Sequence, residues 1–138
     1  MATLQRTIIN TANAPQPVGA YSQAIQAKAS ELVFVAGQIA IDVNGNLVGK
    51  DDVAAQTRQI FENIGNILQS LGASFSNVLE FTTYVVGRDA IQPFMQARSE
   101  IFPTIFPGKD YPANTLLVVD GLVREEFLIE IKAIAALA

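Results

Sequence analysis

Residues 127–135 read Phe-Leu-Ile-Glu-Ile-Lys-Ala-Ile-Ala, and this stretch decides the fold. Alternate side chains of a strand point to opposite faces. One face therefore takes the apolar residues at odd positions, Phe127, Ile129, Ile131 and Ala133. The other face takes Leu128, Glu130, Lys132 and Ile134. Residues 32–36 and 116–119 are likewise apolar on both faces. Such strands are typical of a sheet that is covered on both sides.

Two further stretches have the apolar spacing of helices with one buried stripe. The first helix is predicted over residues 53–71, capped by Asp51 or Asp52 and ended by Gly72. The second helix is predicted over residues 90–102, and Pro103 is expected to close it. Two helices can cover one face of the sheet, so the simplest cover for the other face is another copy of the chain. A dimer or a trimer would provide that cover, and the alternative is a sheet face in contact with water.

The remaining strands complete an α+β pattern. They are predicted over residues 4–9, 21–27, 32–36, 39–43, 78–86 and 114–119. Asn44, Gly45 and Asn46 follow residues 39–43 and predict the tight turn of a hairpin. The order of strands and helices predicts a single domain over residues 1–138, with a mixed sheet and two helices on one face.

The composition excludes several classes of function. The chain has 138 residues with no cysteine and no histidine, which excludes Ser-His-Asp catalysis, Cys-His catalysis and sulfur-based zinc sites. Its 13 acidic and 9 basic residues give a net charge of -4, which disfavours nucleic acid as a partner. No apolar stretch approaches the roughly 18 residues of a membrane-spanning helix. Because charged residues are only 16% of the chain, we expect a cytoplasmic protein that buries apolar surface against copies of itself.

Glu130 is the candidate for acid–base chemistry. A carboxyl group among apolar strand residues can hold or activate a water molecule, and the alternatives are an ion pair with Lys132 or an exposed sheet edge. Tyr21 offers a phenol after a proline-rich loop, and Gly37 and Gln38 end an apolar strand. These residues can form part of a pocket, but they are also ordinary strand-end residues.

Three arginines are candidates to clamp an anion. Arg88, Arg98 and Arg124 each carry a guanidinium fork that matches a carboxylate. Single arginines in a loop, on a helix or in a turn are usually solvated, so we expect these side chains to be exposed. No phosphate-binding loop or nucleophile elbow occurs in the sequence.

Four segments, taken together, resemble the Rid family, which is also called the YjgF or L-PSP family. They are residues 19–24 (Gly-Ala-Tyr-Ser-Gln-Ala), 32–39 (Leu-Val-Phe-Val-Ala-Gly-Gln-Ile), 54–59 (Ala-Ala-Gln-Thr-Arg-Gln) and 130–135 (Glu-Ile-Lys-Ala-Ile-Ala). They span nearly the whole chain in the order of the family. The resemblance implies a chorismate-mutase-like α+β fold and a homotrimer. In that trimer the sheets form an inner barrel, and three clefts lie between neighbouring subunits.

The resemblance also implies an activity. The family hydrolyses reactive enamines and imines, such as 2-iminobutanoate and 2-iminopropanoate, to 2-oxo acids and ammonia, without a metal or an organic cofactor. A cleft arginine binds the substrate carboxylate, and a glutamate near the end of the last strand positions water. The glutamate corresponds to Glu130 as the catalytic residue. The expected substrate-binding residues are Tyr21, Gly37, Gln38, Asn114 and Thr115.

The chain departs from the family pattern at the arginine. Deaminase members have Pro-Ala-Arg-Ser-Cys where residues 112–116 read Pro-Ala-Asn-Thr-Leu. Ala36 and Met95 stand where the family has a serine and often an asparagine. Truncating a buried, charged hydrogen bond at an interface costs about 2 to 5 kcal/mol. Because Asn114 is neutral, we expect ordinary 2-imino acids to bind poorly.

Two hypotheses follow from these residues. The first is an imine or enamine hydrolase of altered specificity, in which Glu130 activates water and the substrate is either neutral or held by another group, such as Arg98, Arg124 or Lys109. The second is a trimer that binds a small molecule or a protein partner and has lost the deaminase reaction. Neither hypothesis names the physiological ligand.

Overall fold

The computed structural model describes residues 3–138 of the chain. These residues form two α-helices, α1 (Val53–Ser70) and α2 (Ile91–Ile105). The strands are β1 (Gln5–Ile9), β2 (Ala24–Lys28), β3 (Glu31–Gln38), β4 (Val78–Val86), β5 (Ala113–Val119) and β6 (Ile129–Leu137).

The main sheet has four strands in the order β3-β6-β4-β5. Strand β6 is antiparallel to both β3 and β4, whereas β5 is parallel to β4, so the sheet is mixed. Strands β1 and β2 form a separate antiparallel pair. The predicted α+β fold with a mixed sheet and two helices is therefore confirmed.

Both helices belong to one apolar core with the inner face of the sheet. Helix α1 begins at Asp52, whose carboxylate accepts a hydrogen bond of 3.0 Å from the Ala55 N–H, as an N-cap requires. It ends before Gly72, which has a φ of 69°. The fully buried side chains of β6 on this face, Ile129 and Ile131, belong to the same cluster as the buried stripe of α1.

The predicted strand over residues 39–43 is wrong. After β3 the chain runs irregularly, and Ile41 makes an isolated bridge with Leu47. The Asn63 side-chain amide on α1 donates hydrogen bonds to the carbonyls of Ile39 (3.2 Å) and Ile41 (2.9 Å). Carbonyls that a strand partner would have used are thus bound by a side chain. The turn itself is present, and Gly45 has a φ of 82°.

The predicted end of the second helix is also wrong. Helix α2 continues through Pro103 and ends at Ile105. Proline removes one N–H and requires a displaced carbonyl four residues earlier, and here that residue is the exposed Ser99. The rings of Phe102 and Phe106 pack at a centroid distance of 5.0 Å, and the Phe106 N–H donates to the Phe102 carbonyl (2.7 Å). Aromatic packing into the core therefore carries the helix past the proline.

The second face of the sheet is not covered within residues 3–138. Phe34 is 72% exposed and Leu32 is 59% exposed, although both are apolar residues of β3. Ile134 pairs with Phe34 in register and lies half-buried beside it. We call the patch formed by Leu32, Phe34 and Ile134 the open face. The two-sided apolar pattern of the sequence thus places large apolar side chains at the surface of a single chain.

Candidate functional site

A cavity of about 350 Å³ lies at the β5 edge of the sheet. It is bounded by β5, by α2 and by the segment that precedes β2. The lining side chains are those of Val18, Gly19, Tyr21, Met95, Arg98, Asn114, Thr115 and Leu116. Three of the predicted substrate-binding residues, Tyr21, Asn114 and Thr115, therefore lie in one cavity.

The segment with Tyr21 is fixed to the sheet by the residue that follows it. Ser22 is buried and bridges Ala113 in the parallel direction. Its N–H donates to the Pro112 carbonyl (3.2 Å), and its hydroxyl donates to the Tyr111 carbonyl (2.6 Å). The Tyr21 phenol oxygen in turn accepts a hydrogen bond from the Val18 N–H at 3.3 Å. These contacts hold the phenol against the start of β5.

Asn114 contributes a neutral amide to the cavity. It lies half-buried on β5, and its amide oxygen accepts a hydrogen bond of 3.0 Å from the hydroxyl of the buried Thr83. That bond fixes the orientation of the amide, and the amide nitrogen is available to donate to a ligand. Thr115 is exposed and adds a hydroxyl at the mouth.

The prediction that Arg98 is exposed is wrong. Arg98 was expected to be solvated on its helix, but it is only 7% exposed and lines the cavity. Its guanidinium carbon lies 5.1 Å from the ring centroid of Phe94 and 5.8 Å from that of Phe102. Burial lowers the pKa of the Arg98 guanidinium below its usual value, and the phenols of Tyr111 and Tyr21 partly oppose that shift.

The sequence did contain a signal for this burial. Phe94 and Phe102 stand four residues before and after Arg98, and both were assigned to the buried stripe of the helix. Residues four apart lie on the same helical face. A charged residue between two members of an apolar stripe is therefore expected to point inward with them.

Glu130 lies elsewhere, on the open side of the sheet. It is half-buried in β6 and lies opposite Tyr84 of β4. Its carboxylate lies directly over the backbone of Gly37, where a Cβ would approach the Glu130 Cδ to 2.8 Å. The two predicted residues Glu130 and Gly37 are thus neighbours, and the absent side chain of Gly37 provides the space for the carboxylate. The alternative of an ion pair with Lys132 is wrong, because that pair is not among the ion pairs of residues 3–138.

The predicted site is therefore divided within one chain. The cavity with Tyr21 does not include Glu130. Gln38 lines a different recess with Asp42 and Asn63, and its side-chain amide donates to the Ala36 carbonyl (3.2 Å).

The other candidate cations lie outside the cavity. Arg88 and Lys109 are exposed, and Arg124 forms an ion pair with Glu126 at 3.5 Å. Within the described part of the chain, no group of three or more carboxylates is placed to hold a metal ion. Neither of the two helices in residues 3–138 has the length and the apolar character needed to cross a membrane.

Comparisons with known proteins agree on one family. The family model described as Endoribonuclease L-PSP matches residues 11–137. A RutC family protein of Pyrococcus horikoshii is 39% identical over 130 residues, which cover 94% of this chain and 97% of that protein. A rat protein named 2-iminobutanoate/2-iminopropanoate deaminase is 34% identical over 135 residues, covering 98% of this chain and 93% of that protein.

A solved structure gives the same result. The Rid family protein YyfB of Yersinia pestis, described as of unknown function, superposes with a TM-score of 0.85 at 33% identity. The match covers 96% of this chain and 98% of that one. From the matched model and these relatives, we conclude that the chain belongs to the Rid family, the family of the L-PSP model.

Proposed function

We propose that this protein is a homotrimeric hydrolase of imines or enamines, with a specificity that differs from that of 2-iminobutanoate/2-iminopropanoate deaminases. Relatives with that name are 34% identical in rat and 30% identical in mouse, each over 135 residues. The observation that carries the proposal is the Glu130 carboxylate, held over Gly37 on a sheet face with exposed apolar residues.

The open face supplies the reason for association. Phe34 is 72% exposed in a single chain. Burying its apolar surface between copies lowers the free energy by about 25 cal/mol for each Å² removed from water. Copies of the chain that pack these faces together form the inner barrel. Closed rotational symmetry lets every copy bury the same patch. Glu130 then lies at the seam between subunits, and the Tyr21 cavity of one copy lies beside the open face of the next.

The reaction uses the carboxylate as a general base. Glu130 accepts a proton from a water molecule while the water oxygen bonds to the imine carbon, and the C=N double bond becomes single as Glu130 returns that proton to the nitrogen. The resulting carbinolamine loses ammonia and leaves a 2-oxo compound. No electron is gained or lost overall, and water is the only co-reactant. The donors of Tyr21 and Asn114 orient the substrate, and Thr115, Gly37 and Gln38 line its approach.

The specificity differs because Asn114 carries no charge. Its amide nitrogen can donate to a ligand oxygen, but it cannot form the two parallel, charged hydrogen bonds of a guanidinium. A small 2-imino acid whose carboxylate is held only by Asn114 is expected to bind roughly 30-fold or more weakly than one held by an arginine at the same position.

The decisive experiment compares Glu130→Gln with wild type on 2-iminobutanoate generated in situ. Loss of the imine is followed against spontaneous hydrolysis. We expect acceleration by wild type and none by Glu130→Gln. The exposed Glu62 on α1 provides a matched control, and Glu62→Gln is expected to keep the full rate. Equal rates for wild type and Glu130→Gln would remove Glu130 from the mechanism.

The second candidate is a ligand-binding trimer without hydrolysis. The observation that favours it is the neutral Asn114, which stands in the cavity where deaminase members have an arginine. Saturable binding of an organic acid by a trimer that never exceeds the spontaneous rate, with any imine offered, would support this candidate.

A further inference from the structure

Two arginines of this chain are buried, and their surroundings differ. Only 5% of the Arg6 side chain is exposed, and its guanidinium donates to the Val78 carbonyl (2.6 Å), the Asp110 carbonyl (2.7 Å) and the Asp110 carboxylate (2.9 Å). Both terminal nitrogens of the Arg6 guanidinium thus donate to acceptors inside the protein. Arg6 therefore fastens β1 to β4 and to the loop before β5.

Arg98 has no such partners. None of the ion pairs within residues 3–138 includes it, and its guanidinium donates in none of the hydrogen bonds found among those residues. Because no fully buried side-chain nitrogen of those residues lacks a partner, the Arg98 N–H groups reach the open space of the cavity. Its neighbours are the faces of Phe94 and Phe102, which attract a cation but leave its N–H groups unbonded. Most of the Arg98 side chain is out of water and no protein acceptor pairs with it, so an anion that enters the cavity would gain a charged hydrogen-bond partner there.

A terminal nitrogen of the Arg98 guanidinium lies beside Gly19 at the wall of the cavity. A Cβ on Gly19 would approach Nη2 of Arg98 to 3.1 Å, which is tighter than an ordinary contact. Glycine at this position therefore leaves space beside the guanidinium. The cavity also presents the phenol of Tyr21 and the amide nitrogen of Asn114, so the lining offers donors and one fixed positive charge.

We propose that Arg98 is the anion-binding residue of this cavity and that its ligand is a singly charged organic acid with an apolar body. The inference rests on the proposed function in that it identifies the class of substrate for the same site. The positive charge comes from α2 rather than from β5, and Asn114 donates a neutral hydrogen bond beside it. Arg98 is a specificity-determining residue in this assignment.

The rest of the lining selects the class of acid. Arg98 is the single cation among the lining residues, so the cavity neutralises one negative charge and leaves a second carboxylate unpaired. Val18, Met95 and Leu116 make much of the remaining wall apolar. A volume of about 350 Å³ is at the small end of ligand pockets, which suits a short branched or ring-bearing acid.

The test measures binding by calorimetric titration and does not depend on hydrolysis. The probes are 4-methylpentanoate, its uncharged analogue 4-methylpentanamide, and the dianion succinate. Wild type is expected to bind 4-methylpentanoate at least about 30-fold more tightly than the amide or succinate. Arg98→Met, which keeps the length of the side chain but not its charge, is expected to lose that preference. Arg98→Lys, which keeps the charge without the planar fork, is expected to retain part of it.

Arg88 provides the matched control, because it is an exposed arginine that does not line the cavity. Arg88→Met removes the same charge and is expected to bind 4-methylpentanoate as wild type does. The proposal is overturned if folded Arg98→Met binds the carboxylate as wild type does, or if wild type does not distinguish the carboxylate from the amide.

The binding test and the hydrolysis test fail separately. Charge-selective binding that disappears in Arg98→Met, together with no imine hydrolysis by wild type, supports the anion site and overturns the proposed reaction. Imine hydrolysis that depends on Glu130 but is unchanged in Arg98→Met supports the reaction and overturns the anion site.

Discussion

Replacing each buried arginine by methionine separates a structural arginine from a ligand-binding one. Arg6→Met removes three hydrogen bonds from a side chain that is 5% exposed. Arg98→Met removes a charge that has no hydrogen-bond partner within residues 3–138. The two substitutions are chemically identical, so the difference between them reports the environment of each guanidinium.

The magnitudes follow from the contacts. A hydrogen bond that involves a charged group contributes about 1.5 to 3 kcal/mol. The Asp110 side chain is 50% exposed, so its ion pair with Arg6 lies at the low end of the range for such pairs. Because the three bonds of Arg6 are not additive, we expect Arg6→Met to lower the free energy of unfolding by about 3 kcal/mol.

For Arg98 the opposing effects nearly cancel. Two cation–π contacts with Phe94 and Phe102 contribute about 0.5 to 1 kcal/mol each. Burial lowers the pKa of Arg98, so the charged form is held less favourably in the folded state than in the unfolded chain. This destabilisation is present at every pH below the folded-state pKa, neutral pH included. We expect Arg98→Met to change the free energy of unfolding by no more than about 1 kcal/mol, in either direction.

Urea denaturation measures the free energy of unfolding of both variants and of wild type. All three are compared at the same protein concentration, because the unfolding of an oligomer depends on concentration. If Arg98→Met lowers the free energy of unfolding as much as Arg6→Met does, Arg98 has a structural partner, such as a carboxylate from another copy. That result would refute the assignment of Arg98 to a ligand.

Three further predictions concern the site and the open face. Gly37→Ala places a methyl group against the Glu130 carboxylate. We expect the rate of imine hydrolysis to fall by about 100-fold while the circular dichroism spectrum stays unchanged. A wild-type rate would contradict the position of that carboxylate. Asn114→Asp keeps the hydrogen bond from the Thr83 hydroxyl but puts a negative charge beside Arg98 in the cavity. Calorimetric titration with 4-methylpentanoate should then show binding at least about tenfold weaker than that of wild type. Equal affinity would count against an anion site in this cavity. Phe34→Glu should sediment as a monomer at micromolar concentration. The control Val123→Glu changes a residue that is 83% exposed, and it should leave the trimer intact. A Phe34→Glu variant that remains a trimer would show that another surface holds the copies together.

The sequence predicted most of the fold because its patterns are local. The cap at Asp52, the positive φ of Gly72 and the buried stripe of α1 each follow from neighbouring residues. The errors arose where a distant contact decides. The carbonyls of Ile39 and Ile41 are bound by an amide more than 20 residues away on α1, and no local pattern contains that information.

The site was predicted only in part for the same reason. Tyr21 and Asn114 were assigned to one pocket by resemblance, and the structure places them together through the bond between Ser22 and Pro112. Glu130 was assigned to the same cleft between subunits, and because a single chain holds only one side of such a cleft, that assignment stays a prediction. Arg98 was expected in water because a charged residue on a helix is usually solvated, and the flanking aromatic residues override that tendency.

The attachment of Ser22 to the start of β5 determines how a molecule enters the cavity. Because Ser22 is hydrogen-bonded to two carbonyls of the loop before β5, the wall that carries Tyr21 is continuous with the sheet and is not a hinged flap. An incoming molecule meets a recess that is already shaped. The conformational entropy of ordering that wall is lost during folding and not on binding, so even a compound of few atoms can be held there.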